Sequence, residues 1–302
     1  MARRKAMSVR RAPTLWERFR ERLPERAEEV VGQTVLRVLL VAFILVAGCL
    51  LIREMKAYVL GLERFQASPA TLTFTAVPTW VTPEIQQQIA HIPDLPERFS
   101  ILERGLATRL AEAYERNPWV TEVERVERRF PNRLKVRLLL RRPTGAVRYR
   151  GSYYLVDSQA VRLPLCFRSW PQPGYRLPIV AGACTEPPAA GAVWEDPAVR
   201  AGCAVAQLLE THGFDRQLAV TAVDAGNVGG RLRGGDPDIV LHTAFRTRIF
   251  WGRSPLEWQP GDGSQTVGRK LLYLARLANT QDLGRLDYAD IRYDRLLVKD
   301  RS

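Results

Sequence analysis

The sequence predicts an α+β protein: a single N-terminal transmembrane helix, a β-α-α-β-β domain, and then an antiparallel β-rich domain with packed helices. Three observations carry this reading. Residues 30–52, VVGQTVLRVLLVAFILVAGCLLI, form an apolar run whose one charge is Arg37. Behind two stretches with helix-start signals, Leu134, Val136, Leu138 and Leu140 alternate with Arg133, Lys135, Arg137 and Arg141. That is the period of a half-buried strand, and only Leu139 breaks its polar side. The remaining tail alternates short strand patterns with helices opening at Asp196-Pro197 and after Ser264.

The apolar run comes first in the chain. A bilayer core of about 30 Å takes roughly 20 apolar residues in a helix. Residues 30–52 reach that length with Gln33, Thr34 and Arg37 near one interface, where Arg37 snorkels. The uninterrupted part, residues 38–52, is short for a full span, so a signal-peptide core or a buried core helix is the competing reading. No small-x-small cleavage site follows Ile52, which leads into Arg53-Glu54-Met55-Lys56, and this favours retention. In residues 1–29 nine Lys/Arg face five Glu, which puts the N-terminus in the cytoplasm and residues 53–302 outside. Within that head, Thr14-Leu15-Trp16-Glu17 offers a capping box, and Leu15, Trp16, Phe19 and Leu23 share one side of a basic helix broken at Pro24. A helix on the inner membrane surface and a solvated tail both fit this head.

The net charge of +13 is spread along the chain, with no dense basic tract beyond the head. It fits a membrane anchor beside anionic lipid and argues against nucleic acid as a partner. Of four cysteines, Cys49 lies in the apolar run and Cys203 reads as a packed thiol on a helix. Cys166 and Cys184 are the two open to pairing in an oxidising compartment, and the spacing alone does not decide it.

The expected organisation is a head (1–29), an anchor (30–52), a linker (53–69), the β-α-α-β-β domain (70–143) and the β domain (144–302). Residues 72–77 read as a strand, and Thr82-Pro83 opens a short helix closed by Pro93. Ser100 and Glu103 form a capping box for a second helix with Leu102, Leu106, Leu110 and Tyr114 on one face, stopped by Asn117-Pro118. Strands over 119–128 and 133–142 follow, joined by a turn at Phe130-Pro131-Asn132, with both helices expected on one face of the sheet. Further on, a helix runs from Asp196-Pro197 to near Gly213. Residues 218–223, 239–243 and 248–252 read as strands, and residues 226–235 as a mobile glycine-rich turn. A helix after Ser264 carries Leu271, Leu274 and Ala278, and residues 288–293 and 296–299 read as a last pair of strands.

Six stretches together resemble a known family. Asn117-Pro118-Trp119-Val120, the turn and strand from Arg128-Arg129-Phe130-Pro131-Asn132-Arg133 to Val136, and Arg141-Arg142-Pro143 are similar to the second half of a POTRA domain of the FtsQ/DivIB bacterial cell-division proteins. Tyr154-Leu155-Val156-Asp157 to Val161, Leu177-Pro178 to Gly182, and Asp287-Tyr288-Ala289-Asp290-Ile291-Arg292-Tyr293 resemble that family's hairpin, "LP" segment and closing strand, in its order. The chain departs from the pattern at Val77-Pro78-Thr79-Trp80, where the family has a "G-N" turn, and at the loop between Cys166 and Cys184, which resembles an insertion. The resemblance implies a POTRA-like domain and a non-enzymatic scaffold of the divisome in the inner (plasma) membrane at the division site. It implies partners of the FtsB or FtsL kind, single-pass proteins that add a strand to the closing sheet edge. Along residues 291–298 it points to Arg292, Tyr293, Arg295 and Leu297 as partner-binding residues.

The residues offer no competing chemistry. His91, His212 and His242 are the only histidines and none has ligand spacing. Gly226-Asn227-Val228-Gly229-Gly230 lacks the Gly-Lys-Ser/Thr of a phosphate loop, and no G-x-S-x-G elbow occurs. Neither catalytic residues, a metal, a cofactor nor a small-molecule substrate is expected. The alternative in a different class is an envelope-anchored enzyme or binding module with a POTRA-like region. A translocation chaperone is disfavoured because neither POTRA repeats nor barrel strands are evident.

Overall fold

The structure, a computed structural model, describes residues 25–68, 72–74, 77–92, 95–172, 175–257, 259, 265–280 and 282–301. The expected capping box at Thr14, the break at Pro24, and Thr75, Ala76, Pro93 and Ser264 lie outside the described residues. The chain divides into two compact units between Glu63 and Arg64.

The first unit is helix α1, Glu25–Gly61. At 1.5 Å per residue it is about 55 Å long, and from Val30 through Gly61 it is apolar and long enough to cross a membrane. Val38, Phe43, Ile44 and Leu50 are all more than half exposed, so the described residues do not bury this surface. Thr34 donates its hydroxyl to the Val30 carbonyl at 2.8 Å, which satisfies a polar group inside the apolar stretch. The expected linker of residues 53–69 is not irregular. Arg53-Glu54-Met55-Lys56-Ala57 are good helix formers with neither Gly nor Pro before Gly61, so α1 continues nine residues beyond Ile52. A single helical turn, Glu63–Phe65, and strand β1, Gln66–Ala67, complete the connection.

The second unit opens with β2 (Leu72–Phe74), α2 (Pro83–Ala90), β3 (Phe99–Ser100), α3 (Leu106–Glu115), β4 (Val120–Arg129) and β5 (Arg133–Leu140). The expected β-α-α-β-β order is present. Its three-stranded sheet has the order β2-β5-β4, with β2 parallel and β4 antiparallel to β5. Leu134 and Val136 are fully buried against Leu106, Leu110 and Tyr114. One expectation is corrected. Helix α3 starts at Leu106, not at Ser100, because Gly105 takes a left-handed φ of 77° and Phe99–Ser100 pairs with β1 instead. The Ser100 hydroxyl then accepts the Leu102 N–H in a local turn, and Glu103 turns to Arg109 at 2.7 Å. Helix α2 lies on the same sheet face, as expected: the cluster around Ile85 and Ile89 includes Phe74, Leu138 and Leu140, and Leu138 and Leu140 continue the face of Leu134 and Val136 along β5. Ile85 and Ile89 also pack with Trp119, Ala146, Leu155 and Leu163. Trp119 fixes this, donating Nε1 to Gln88 Oε1 at 2.8 Å while Asn117 Nδ2 donates to the Gln88 carbonyl at 2.9 Å. Residue 143 is therefore no boundary between separate cores.

The larger sheet comprises β6 (Gly145–Tyr149), β7 (Ser152–Val156), β8 (Arg162–Phe167), β9 (Ile179–Ala181), β10 (Val220–Asp224), β11 (Ile239–Thr243), β12 (Arg248–Gly252), β13 (Leu286–Asp290) and β14 (Leu297–Asp300). Its order is β14-β13-β12-β11-β10-β9-β6-β7-β8. The expected antiparallel sheet is in fact mixed: β9 is parallel to β6 and β10, and β12 to β13. Helix-bearing crossovers make two of these parallel pairs. Helices α4 (Pro197–Thr211) and α5 (Phe214–Gln217) join β9 to β10, and α6 (Val267–Thr280) joins β12 to β13. Val205, Leu209, Leu274 and Leu277 from these helices form one core with Val223, Leu241, Ile249 and Trp251. Helix α4 sits so close to the sheet that a Cβ on Gly202 would lie 2.5 Å from Val180 Cγ1. The 226–235 segment is a tied turn, since Asn227 accepts the N–H groups of Leu232 and Arg233 and donates to the carbonyls of Arg233 and Asp236. Cys166 and Cys184 are exposed and unbridged, and Cys203 is buried.

Candidate functional site

A sheet edge is a row of unpaired backbone N–H and C=O groups, and proteins usually blunt it. The edge of β8 is blunted: Pro164 lies within it, Val161 bridges Val193, and Arg162 exchanges backbone hydrogen bonds with Gly191 and Ala192. Strand β4 carries Glu122, Glu124, Arg125, Glu127, Arg128 and Arg129 and is bulged twice. Strand β2 spans three of the described residues. Among the described residues no strand pairs with the outer side of β14, and Leu297 and Val298 at its start are 49% and 44% exposed, followed by Lys299 and Asp300.

The expected closing strands shift here. Strand β13 ends at Asp290, because the Asp290 carboxylate accepts the backbone N–H of Arg292 at 3.0 Å and bends the chain. Residues 291–296 are a turn, and β14 returns antiparallel, pairing Leu297 with Asp290 and Val298 with Ala289. Tyr293, 51% exposed, therefore sits on the turn and not in a strand. Arg295 is exposed on the same turn, and Leu297 opens the edge strand. Three of the four expected residues thus face solvent together around one corner.

Arg292 does not join them as a free charge. Its Nη2 meets Asp290 Oδ2 at 2.7 Å and its Nε meets Oδ1 at 3.0 Å. This pairing with Asp290 holds the guanidinium above its ordinary pKa. The guanidinium also lies over the Phe250 and Tyr293 rings, and its stem fills the space that a Cβ on Gly252 would need. Arg292 holds the turn in shape.

The sequence reading missed what lies beside the edge. Arg269, Leu272, Tyr273 and Arg276 of α6 line a groove with Asp294, Arg295, Leu296 and Val298. Tyr273 donates its hydroxyl to the Asp294 carbonyl, and Gln265 Nε2 donates to Asp294 Oδ1 at 2.6 Å, so helix and turn are tied together. Leu272 is 70% exposed between the two arginines. A signal was present: Leu272 is out of phase with the buried face of Leu274 and Leu277, with Arg at −3 and +4. The arrangement offers unpaired backbone, apolar contact and a basic rim, which together suit a strand or short helix carrying acidic residues.

The histidines sit apart from this corner and from one another in the fold. His91 caps α2, His212 stacks on Phe214 after α4, and His242 lies on β11. No family model matches the chain, and no curated protein matches it.

Proposed function

We propose that this chain is a non-enzymatic, single-pass scaffold of the bacterial division machinery, of the FtsQ/DivIB kind. In this reading it sits in the inner membrane with its N-terminus in the cytoplasm and its larger unit outside, at the division site. Strand β14 captures single-pass partners of the FtsB or FtsL kind. The observation that carries this is the open β14 edge, with Leu297 and Val298 exposed beside the Arg269, Arg276 and Arg295 rim. A partner strand pairs with the free backbone groups, alternate side chains select it, and its acidic residues meet the arginines. The apolar α1 supports the anchoring, and the β2-β5-β4 order supports the POTRA-like reading.

Photo-cross-linking in the source cells tests this, with a benzophenone side chain at position 298. The expected product is a single-pass envelope protein, lost on Leu297→Asp. A product that is a soluble enzyme's substrate or a cytoplasmic protein would overturn the reading. So would a C-terminal reporter active only in the cytoplasm.

A further inference from the structure

The hairpin tip between β4 and β5 is left unexplained by partner capture. Phe130 is 68% exposed there, and Pro131 beside it is also exposed. A single exposed apolar side chain is ordinary at a protein surface, so its neighbours decide whether it has a role. The side chains around it are basic. Arg129 and Arg133 face each other across the ladder at the base of the turn, and both are exposed. Arg128 reaches back with Nη2 to the Glu103 carbonyl at 3.0 Å. The nearby carboxylate, Glu127, is shared between Arg129 at 2.8 Å and Arg125 at 3.1 Å.

The place of this tip in the chain says what covers it. The Phe130 ring packs edge-on against Phe65, with centroids 6.5 Å apart, and the Arg64 guanidinium lies 4.6 Å from the Phe65 ring centroid. Phe65 is only four residues beyond Gly61, where α1 ends. Four residues reach at most about 14 Å. Residues 53–61 of α1 add about 14 Å beyond the apolar run at 1.5 Å per residue, so the tether is short enough to let the tip reach the surface from which that run emerges. An exposed aromatic ringed by arginines is the chemistry that inserts at a lipid headgroup layer.

We propose that the Phe130-Pro131 tip, with Arg129, Arg133 and Arg64, docks the larger unit onto the anionic lipid surface of the leaflet from which α1 emerges. Phe130 enters the headgroup boundary and the arginines meet lipid phosphates. The contact limits the swing of the larger unit about its tether. It rests on the reading of α1 as a membrane anchor.

The full chain, one copy per lipid nanodisc, tests this in phosphatidylcholine alone and in phosphatidylcholine mixed with phosphatidylglycerol. Backbone hydrogen exchange is read at residues 129–134 and at 38–52. The turn amides should exchange about five-fold more slowly in the anionic discs, the weight of roughly one arginine's attraction to an anionic leaflet. Phe130→Ser, the double change Arg129→Glu with Arg133→Glu, or salt near 1 M, where the Debye length is about 3 Å, should abolish the slowing. Unchanged protection at Val136 shows that the variants keep their fold. Equal exchange in the two lipids, with residues 38–52 protected in both, overturns the docking proposal and leaves the anchor reading standing. Free exchange at 38–52 overturns the anchor and the docking together. Slowing that appears only with two copies per disc makes a second copy the occupant and overturns the lipid contact.

Discussion

Asp196 is a fully buried carboxylate whose two oxygens are both committed as acceptors. Oδ2 takes the N–H of Cys184 at 2.7 Å, the N–H of Thr185 at 2.8 Å and the Thr185 hydroxyl at 3.1 Å. Oδ1 caps α4 through the N–H of Ala198 at 2.9 Å and of Val199 at 3.4 Å. The Thr185 hydroxyl in turn receives Trp194 Nε1 at 2.9 Å. The 184–185 loop, Trp194 and the start of α4 thus hang on one side chain. The sharp expectation is that Asp196→Asn fails nearly as badly as Asp196→Ala, although Asn is isosteric and a good N-cap elsewhere. The amide has one oxygen. If it keeps the cap, its NH2 points at the two N–H donors of Cys184 and Thr185, which are left unsatisfied at about 1–3 kcal/mol each. A loss of about 3 kcal/mol in a unit of this size lowers the melting temperature by roughly 6–12 °C.

Thermal unfolding of the detergent-solubilised full chain reads this directly, and the pH dependence gives a second check. Burial alone would push the Asp196 carboxyl up. The backbone N–H groups of Cys184, Thr185, Val199 and Ala198 outweigh it and hold the carboxyl below the usual carboxylate range. A depressed folded pKa contributes stability that is present above the unfolded value, about 3.9, and is lost as pH falls through the folded one. The gap between the native chain and Asp196→Asn should therefore be full at neutral pH and close under acid. A melting temperature within about 2 °C of the native chain, a shift of the size that some 0.5–1 kcal/mol produces, would refute the argument that both oxygens are needed.

Three further outcomes are expected. Val136→Asp, at a fully buried position, strands a carboxylate among Leu106, Leu110 and Tyr114 and should cost several kcal/mol in thermal unfolding, whereas Arg137→Asp on the exposed side should cost little. In the native chain Cys166 and Cys184 should react with a maleimide within minutes while Cys203 resists until unfolding, because burial pushes the Cys203 thiol far above its usual pKa, helped by the negative charge of Asp157. Arg292→Glu, which sets a second carboxylate against Asp290, should lower the melting temperature by several degrees. Arg295→Glu should leave it unchanged and weaken partner capture alone, as read by unfolding and cross-linking of the same two proteins.

How far the fold was legible depended on whether a signal was local. Thr82 with Pro83 and Asp196 with Pro197 start helices as read, because cap and first turn are set by neighbours in sequence. The alternation of residues 133–140 exposed the buried face of β5, because a strand's two faces are written in every second residue. The Ser100 box failed for the opposite reason. Its spacing is right, but β1 competes for the same residues, and that pairing joins positions more than thirty residues apart. Parallel pairing of β9 with β6 and β10 was likewise invisible, since a three-residue strand carries no mark of its neighbours' direction. The further contacts of α2 were hidden too: Ile85 and Ile89 meet Trp119, Ala146 and Leu155 as well as the expected β5 face, and the hydrogen bond between Trp119 and Gln88 forms only in three dimensions.

The corner at β14 divides along the same line. That the chain closes with a strand bearing exposed apolar residues follows from its last residues, and Tyr293, Arg295 and Leu297 do face solvent there. Arg292 looked equivalent to Arg295 because each follows an Asp by one or two positions and both lie in a run of alternating charge. The difference is geometric. Asp290 ends a strand inside the sheet, is nearly buried and must be neutralised, so it takes Arg292 in a bidentate pair. Asp294 stands on an exposed turn, where Gln265 meets its carboxylate, and makes no such demand on Arg295. One arginine is therefore consumed in shaping the turn while the other is left at the rim. The rim's second half, Arg269 and Arg276, comes from a helix some twenty residues earlier that only the β12-to-β13 crossover brings alongside. A binding edge assembled in this way is readable in sequence as an exposed strand end, and its basic neighbourhood becomes visible only once the crossover is folded.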